Sequence, residues 1–199
     1  MQKTTPVVLN LIIINAIMYV AQMVLDKTTG FTNLIALYSY QSENFKPYQL
    51  VTHMFAHDPS NFFHILFNMY ALWMFGSVLE RVWGPKRFLI FYLVCGLAAG
   101  LAQMFTMSPQ GVAVGASGAI MGLLAAFAYL FPNTQFYILP FPFPIKAKYM
   151  VAIYAAIDLF GGLHPGGADN IAHFAHLGGL VMGFILVIVW NKTNKKTFY

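Results

Sequence analysis

Residues 111–122 read GVAVGASGAIMG, with Ser117 the single hydroxyl in an apolar, glycine-rich stretch. A serine hydroxyl is a weak nucleophile until a base within about 3 Å takes its proton. Candidate bases stand at His173 and His176 in a second small-residue stretch, AHFAHLGGLVMG. His64 and Asn68, four apart in HILFN, share one face of a helix and can offer donors to an oxyanion. Backbone N–H groups at a helix start around Ser117 would add to them. The chemistry these residue types suggest is nucleophilic acyl transfer. Ser117 would be the nucleophile and His176 the general base. His64, Asn68 and the Ser117 backbone would stabilise the transition state. No acidic residue stands close enough in the pattern to be a third member, so the sequence predicts a Ser–His dyad.

Each residue also has a plainer use. Ser117 at a helix start is a good N-cap; His64, Asn68 and His176 could be hydrogen-bonded packing groups. Metal binding is the rival chemistry, because His53 and His57 are four apart and His64, His173 and His176 fall on the same side. HMFAH, however, lacks the inner glutamate of a zinc protease. The expectation is therefore no metal, with hydrogen-bonding roles for His53 and His57 and a loop position for His164. Cys95 lies in an apolar run and reads as a packed core residue.

Positioning these groups requires helices in lipid. Of 199 residues, 59% are apolar and 9% charged, too little polar surface to coat a water-soluble globule. The net charge of +5 comes with no basic, aromatic-interleaved stripe, which argues against nucleic acid. Six apolar runs are predicted spans: Val7–Leu25, Phe62–Leu79, Phe88–Met107, Gly118–Phe131 (with Ser117 at its mouth), Tyr149–Leu163 and Ile171–Trp190. The first lacks a small-residue cleavage site and reads as an uncleaved span. The expected fold is an all-α polytopic membrane protein of six transmembrane helices in one domain, residues 1–199. A long, aromatic-rich first outer loop would lie in the interface as short helices, and the proline-rich PNTQFYILPFPFPIKAK would be an inner loop.

With the N-terminus inside, nine of the eleven Lys and Arg residues fall on inner segments, leaving Lys27 and Lys46 outside. The charge bias thus predicts a multi-pass protein with both termini cytoplasmic, and the expected placement is a prokaryotic plasma (inner) membrane. Spans two, four and six then run the same way, so His64, Asn68, Ser117, His173 and His176 converge near the outer boundary. Asn68 and His176 lie about six residues into their runs, roughly 9 Å deep. The short fourth span must start below the surface, with MSPQGVAVGA dipping in and Gly115 and Ala116 beside the serine. Gly118 and Gly122, facing Gly179 and Gly183, would let spans four and six pack closely. His176 is three residues before Gly179, so it is favoured over His173 as the base.

Together HILFN, GASG and AHLGG, in this order on six spans, resemble the rhomboid family of intramembrane serine proteases. The resemblance covers the chain from His53 to Gly183. It implies the same roles for Ser117, His176, His64 and Asn68, no cofactor, and single-span membrane proteins in the lipid bilayer as substrates. Span five and the loop GGLHPGGADN would correspond to a gate and cap. The chain departs from the family pattern at Tyr48–Gln49, where a Trp–Arg pair is frequent. It departs again at Met121, where many members have an aromatic residue against the catalytic histidine. The alternative within the same fold is a non-catalytic protein that binds membrane segments. A histidine-lined transporter would call for carboxylates within the spans.

Overall fold

All six apolar runs form helices. The computed structural model describes residues 5–137, 143–164 and 171–193. In chain order, α1 (Pro6–Thr29) is followed by a long connection holding α2 (Phe31–Ile35), β1 (Leu37–Tyr38), α3 (Gln49–Thr52) and a 3-10 turn at His53–Phe55. The second run is α4 (Phe62–Ala71), a π turn at Leu72–Gly76 and α5 (Ser77–Trp83). Next come α6 (Pro85–Thr106), β2 (Val112–Ala113), α7 (Ser117–Leu130), β3 (Gln135–Tyr137), β4 (Pro144–Lys146), α8 (Ala147–Leu163) and α9 (His173–Thr193). Four helices, Pro6–Thr29, Phe62–Trp83, Pro85–Thr106 and His173–Lys192, are long and apolar enough to cross a membrane. Ser117–Leu130 is a shorter apolar helix, and α8 has 17 residues.

The shortness of α7 follows from its place. Every residue from Gly118 to Ala128 is buried, and α6 and α9 are its main neighbours. A helix apolar all round belongs inside a bundle. The outer helices instead turn apolar side chains outward, as Ile17, Val20 and Val24 of α1 and Ile157 and Phe160 of α8 do. That is the surface expected of a protein solvated by lipid tails.

Bare backbone joins α7 to α9. A Cβ on Gly179 would lie 1.8 Å from the Gly118 carbonyl oxygen, and one on Gly183 would lie 2.4 Å from that of Gly122. Neither position accepts a side chain unless the helices separate. On its other side Gly122 meets Cys95, whose buried sulfur fills the α6–α7 seam.

Polar clips hold α1 at both ends. The buried Glu80 carboxylate accepts the Val7 and Val8 N–H groups at 3.0 and 2.9 Å and also the Thr5 hydroxyl. An anion at a helix N-terminus is the favoured partner for those orphan donors. Further along, Gln22 Nε2 donates to the His57 carbonyl at 2.7 Å while its Oε1 accepts the His57 N–H at 2.9 Å. Asn15 Oδ1 contacts His57 Nε2 at 2.9 Å.

These clips tie the first connection to the bundle. Short helices form there as expected, but its apolar residues Ile35, Ala36, Leu37, Met54 and Ala56 are buried in protein. The His53 ring and the Met54 sulfur lie over Gly100 and Gly96 of α6, where a Cβ would come within 2.8 and 1.8 Å. The dipping segment before α7 is also less irregular than expected. Its Val112 and Ala113 pair antiparallel with Tyr38 and Leu37, which satisfies backbone groups inside the protein. The proline-rich connection closes as a second ribbon, Gln135–Tyr137 against Pro144–Lys146. Its tip, the cap residues 165–170 and the basic tail after residue 193 lie outside the described residues.

Candidate active site

The chain enters α7 through Gly115, whose φ of 129° is open to glycine and strained for other residues. The Gly115 N–H donates to the His53 carbonyl at 2.9 Å, so the first connection fixes the approach to the helix. Ser117 is the first residue of α7, with Ala116 at the N-cap and no side-chain cap bond. The capping use of Ser117 is therefore not realised. Its Oγ is instead 2.8 Å from His176 Nε2.

His176 belongs to the first turn and a half of α9. The glycine contact one turn later brings the two helix starts together, and both side chains remain partly accessible. A hydroxyl donating to an unprotonated imidazole nitrogen is the arrangement a general base requires.

Asp158 corrects the expectation that no carboxylate is in reach. Its buried side chain places Oδ1 3.0 Å from His176 Nδ1 and 2.8 Å from His173 Nδ1. The physical reason is direction. Spans two, four and six run one way, so their polar residues near the Ser117 end come first in each run. Span five runs the other way, and its residues at that level come last. Asp158 is five residues before the end of α8, about 7.5 Å along the axis. Its depth therefore matches that of the two histidines.

His64 and Asn68 stand beside the pair in different ways. A Cβ on Gly115 would lie 2.9 Å from His64 Nε2 and 3.6 Å from Ser117 Oγ, so the two groups border one small space. His64 Nδ1 accepts the Asp58 N–H at 3.3 Å. A neutral imidazole accepting at Nδ1 carries its proton on Nε2, the nitrogen nearer the serine. Asn68 is buried and donates through Nδ2 to the His64 carbonyl at 2.7 Å. One of its two amide hydrogens is thereby committed to its own helix.

The remaining histidines make hydrogen bonds away from Ser117. His53 is buried with Nδ1 2.8 Å from the Gln49 carbonyl, and burial lowers its pKa to about 4. His57 is lowered to about 3, by burial first and then by the neighbouring His64. Both therefore stay neutral at pH 7. His164 follows α8 at its C-cap, exposed and stacked on Phe160. Among the described residues no group of three or more His, Cys, Asp or Glu is placed to hold a metal ion.

The two departures from the family pattern have structural answers. Gln49 is buried and staples the first connection, its Oε1 accepting the Lys46 N–H at 3.0 Å and its Nε2 donating to the Asn44 carbonyl at 3.1 Å. Met121 packs in an apolar cluster with Phe75, Leu124, Phe127, Met150 and Val151, toward α8.

The fold and site define a polytopic helical membrane protein with a hydrogen-bonded serine–histidine pair between its central helices. The chain matches the Rhomboid domain over residues 44–192 and belongs to the rhomboid family. It is 35% identical over 131 residues to Rhomboid protein 1, mitochondrial, of Saccharomyces cerevisiae, covering 62% of this chain and 37% of that protein. It is 38% identical over 122 residues to the rhomboid protease GluP of Bacillus subtilis, covering 61% of this chain and 22% of that one. With Rhomboid-like protein 11, chloroplastic, of Arabidopsis thaliana it shares 30% identity over 198 residues, covering 96% of this chain and 68% of that protein. The chain thus spans well under half the length of the first two relatives.

Proposed function

We propose that this protein is an intramembrane serine endopeptidase that cleaves single-span membrane proteins near the outer membrane boundary, with Ser117 as nucleophile and His176 as general base. The observation that carries the reading is the 2.8 Å contact between His176 Nε2 and Ser117 Oγ, made by the starts of two helices buried against each other. As Ser117 Oγ attacks the substrate carbonyl carbon, its proton passes to His176 Nε2. The tetrahedral oxyanion meets the Ser117 backbone N–H and the His64 Nε2–H, with Asn68 beside them. Collapse breaks the C–N bond, and His176 returns the proton to the leaving amine. Water, activated in turn by His176, releases the acyl group.

Membership in the rhomboid family and the relative named a rhomboid protease support this reading. The bias of Lys and Arg toward the inner segments of the sequence supports an orientation with the serine end outward, and a prokaryotic plasma membrane is the proposed placement. A non-catalytic, segment-binding member would have no use for an imidazole nitrogen held 2.8 Å from a serine hydroxyl.

The substrate preference follows from access. A peptide bond within a helix has its carbonyl bonded and its faces covered, so cleavage waits for local unwinding. Glycine lowers that cost by about 1 kcal/mol and proline by about 3 relative to alanine. Of Gly115, Ala116 and Gly118, it is Gly115 that borders the small space between Ser117 Oγ and His64 Nε2, and that space suits a small residue before the cut. The test is cleavage of a reconstituted single-span substrate by wild type and Ser117→Ala, with the helix-breaking segment intact or replaced by leucines. Cutting only by wild type, and only of the broken helix, supports the proposal. Cutting by the alanine variant, or of the all-leucine span at full rate, overturns it.

A further inference from the structure

Asp158 is the one carboxylate in an otherwise apolar stretch of α8, and it is 5% exposed. A buried carboxylate in lipid persists only where its oxygens are bonded, and such residues are functional candidates by default. Both bonds here end on the same atom. Oδ1 meets His173 Nδ1 at 2.8 Å and His176 Nδ1 at 3.0 Å. The helix is shaped for this. Gly161, one turn after Asp158, faces the His173 ring so closely that a Cβ there would lie 2.3 Å from His173 Nε2. Thus α8 provides a slot for one imidazole and an acceptor for two.

The consequence concerns the proton on His176. A carboxylate acceptor at Nδ1 requires Nδ1 to carry the hydrogen, which leaves Nε2 with a free lone pair facing Ser117. The opposite tautomer would present an N–H to the serine and could not act as a base. We propose that Asp158 is a positioning residue for the Ser117–His176 reaction proposed above: it fixes His176 in the Nδ1–H tautomer and steadies the imidazolium formed during attack. His173 acts through Asp158, holding the carboxylate so that Oδ1 keeps a lone pair directed at His176 Nδ1. The proposal rests on the protease reading and adds a third participant from α8 to what the sequence presents as a dyad.

The experiment compares wild type, Asp158→Asn and Ser117→Ala, reconstituted in liposomes, by kcat and KM for a single-span substrate and by the rate at which a fluorophosphonate labels Ser117. The asparagine keeps the size of the aspartate while removing its charge. Loss of an orienting carboxylate of this kind lowers kcat by roughly 10²- to 10⁴-fold, and labelling should fall in parallel while KM changes by less than about threefold. Nitrogen-15 spectra of histidine-labelled wild type give a second reading that does not depend on how any variant folds. His176 should be protonated at Nδ1 and bare at Nε2 in the neutral form. A His176 protonated at Nε2, or an Asp158→Asn chain that cleaves and labels like wild type, overturns the assignment of Asp158. Wild type that neither cleaves nor labels would instead overturn the protease reading on which it rests.

Discussion

Gly179 lies directly on the backbone of Gly118: a Cβ added to Gly179 would sit 1.8 Å from the Gly118 carbonyl oxygen. His176 is one turn before Gly179, and Ser117 is the residue before Gly118. The close approach of two bare helix segments is therefore what sets the serine–histidine distance. Packing and the proposed chemistry share the same few residues.

Replacing Gly179 by alanine should move the helices apart and break the site. Overpacking of a tight core costs about 1–3 kcal/mol, so thermal unfolding should occur at lower temperature. Fluorophosphonate labelling of Ser117 should fall even well below the melting point, where the fold persists. A Gly179→Ala chain that labels at the wild-type rate would show that the contact does not set the distance.

The two histidines of α9 should rank clearly. His176→Ala removes the proposed base, and loss of a member of a nucleophile–base unit typically costs about 10⁴- to 10⁶-fold in kcat. His173→Ala removes a partner of Asp158 and leaves the base in place, so substantial activity should remain. Initial-rate cleavage measurements decide the order, and the reverse ranking would transfer the base role to His173.

His64 and Asn68 should also separate. His64 turns a protonated Nε2 toward the space beside Ser117, and one oxyanion donor is worth roughly 10²- to 10³-fold in kcat. Asn68 spends one amide hydrogen on the His64 carbonyl. Its loss removes one ordinary hydrogen bond, about 1 kcal/mol or roughly tenfold, together with whatever its second hydrogen gives the oxyanion. His64→Ala should be the more damaged of the two, chiefly in kcat; equal or reversed losses would place the oxyanion elsewhere.

Acid should loosen the first connection. His53 and His57 have folded pKa values of about 4 and about 3, against 6.5 when unfolded. Between pH 6.5 and 4 the unfolded chain binds more protons at these sites than the folded one, so their contribution is present above pH 6.5 and lost as pH falls. Each contributes a slope of at most about 1.4 kcal/mol per pH unit. Unfolding of Ser117→Ala measured from pH 7.5 to 4.5 should show stability falling on acidification, and adding His53→Gln should flatten that fall. An unchanged slope would contradict the assignment.

What the sequence made legible was whatever period and direction encode. The six apolar runs predict six helices to within a few residues, and the run of Gly118, Gly122, Gly179 and Gly183 predicts the α7–α9 seam because only small residues permit it. Ser117 and His176 follow from the same spacing. Asp158 was not legible as a partner because apolar periodicity assigns a residue to a span without saying which neighbour it faces. Span five also runs opposite to the spans that carry the other polar groups. The pairing of Leu37–Tyr38 with Val112–Ala113 leaves no alternating pattern, since each strand has only two residues. The clips made by Asn15, Gln22 and Glu80 depend on long-range contacts that no local pattern records.

If His176 activates Ser117, intact-mass kinetics of fluorophosphonate labelling should show it. Wild type should take one adduct per chain, mapped to Ser117 by peptide sequencing. Ser117→Ala should take no such adduct, and labelling of His176→Ala should be slowed by at least about a thousandfold. Labelling of His176→Ala at the wild-type rate, or an adduct mapped to any residue other than Ser117, would contradict that activation.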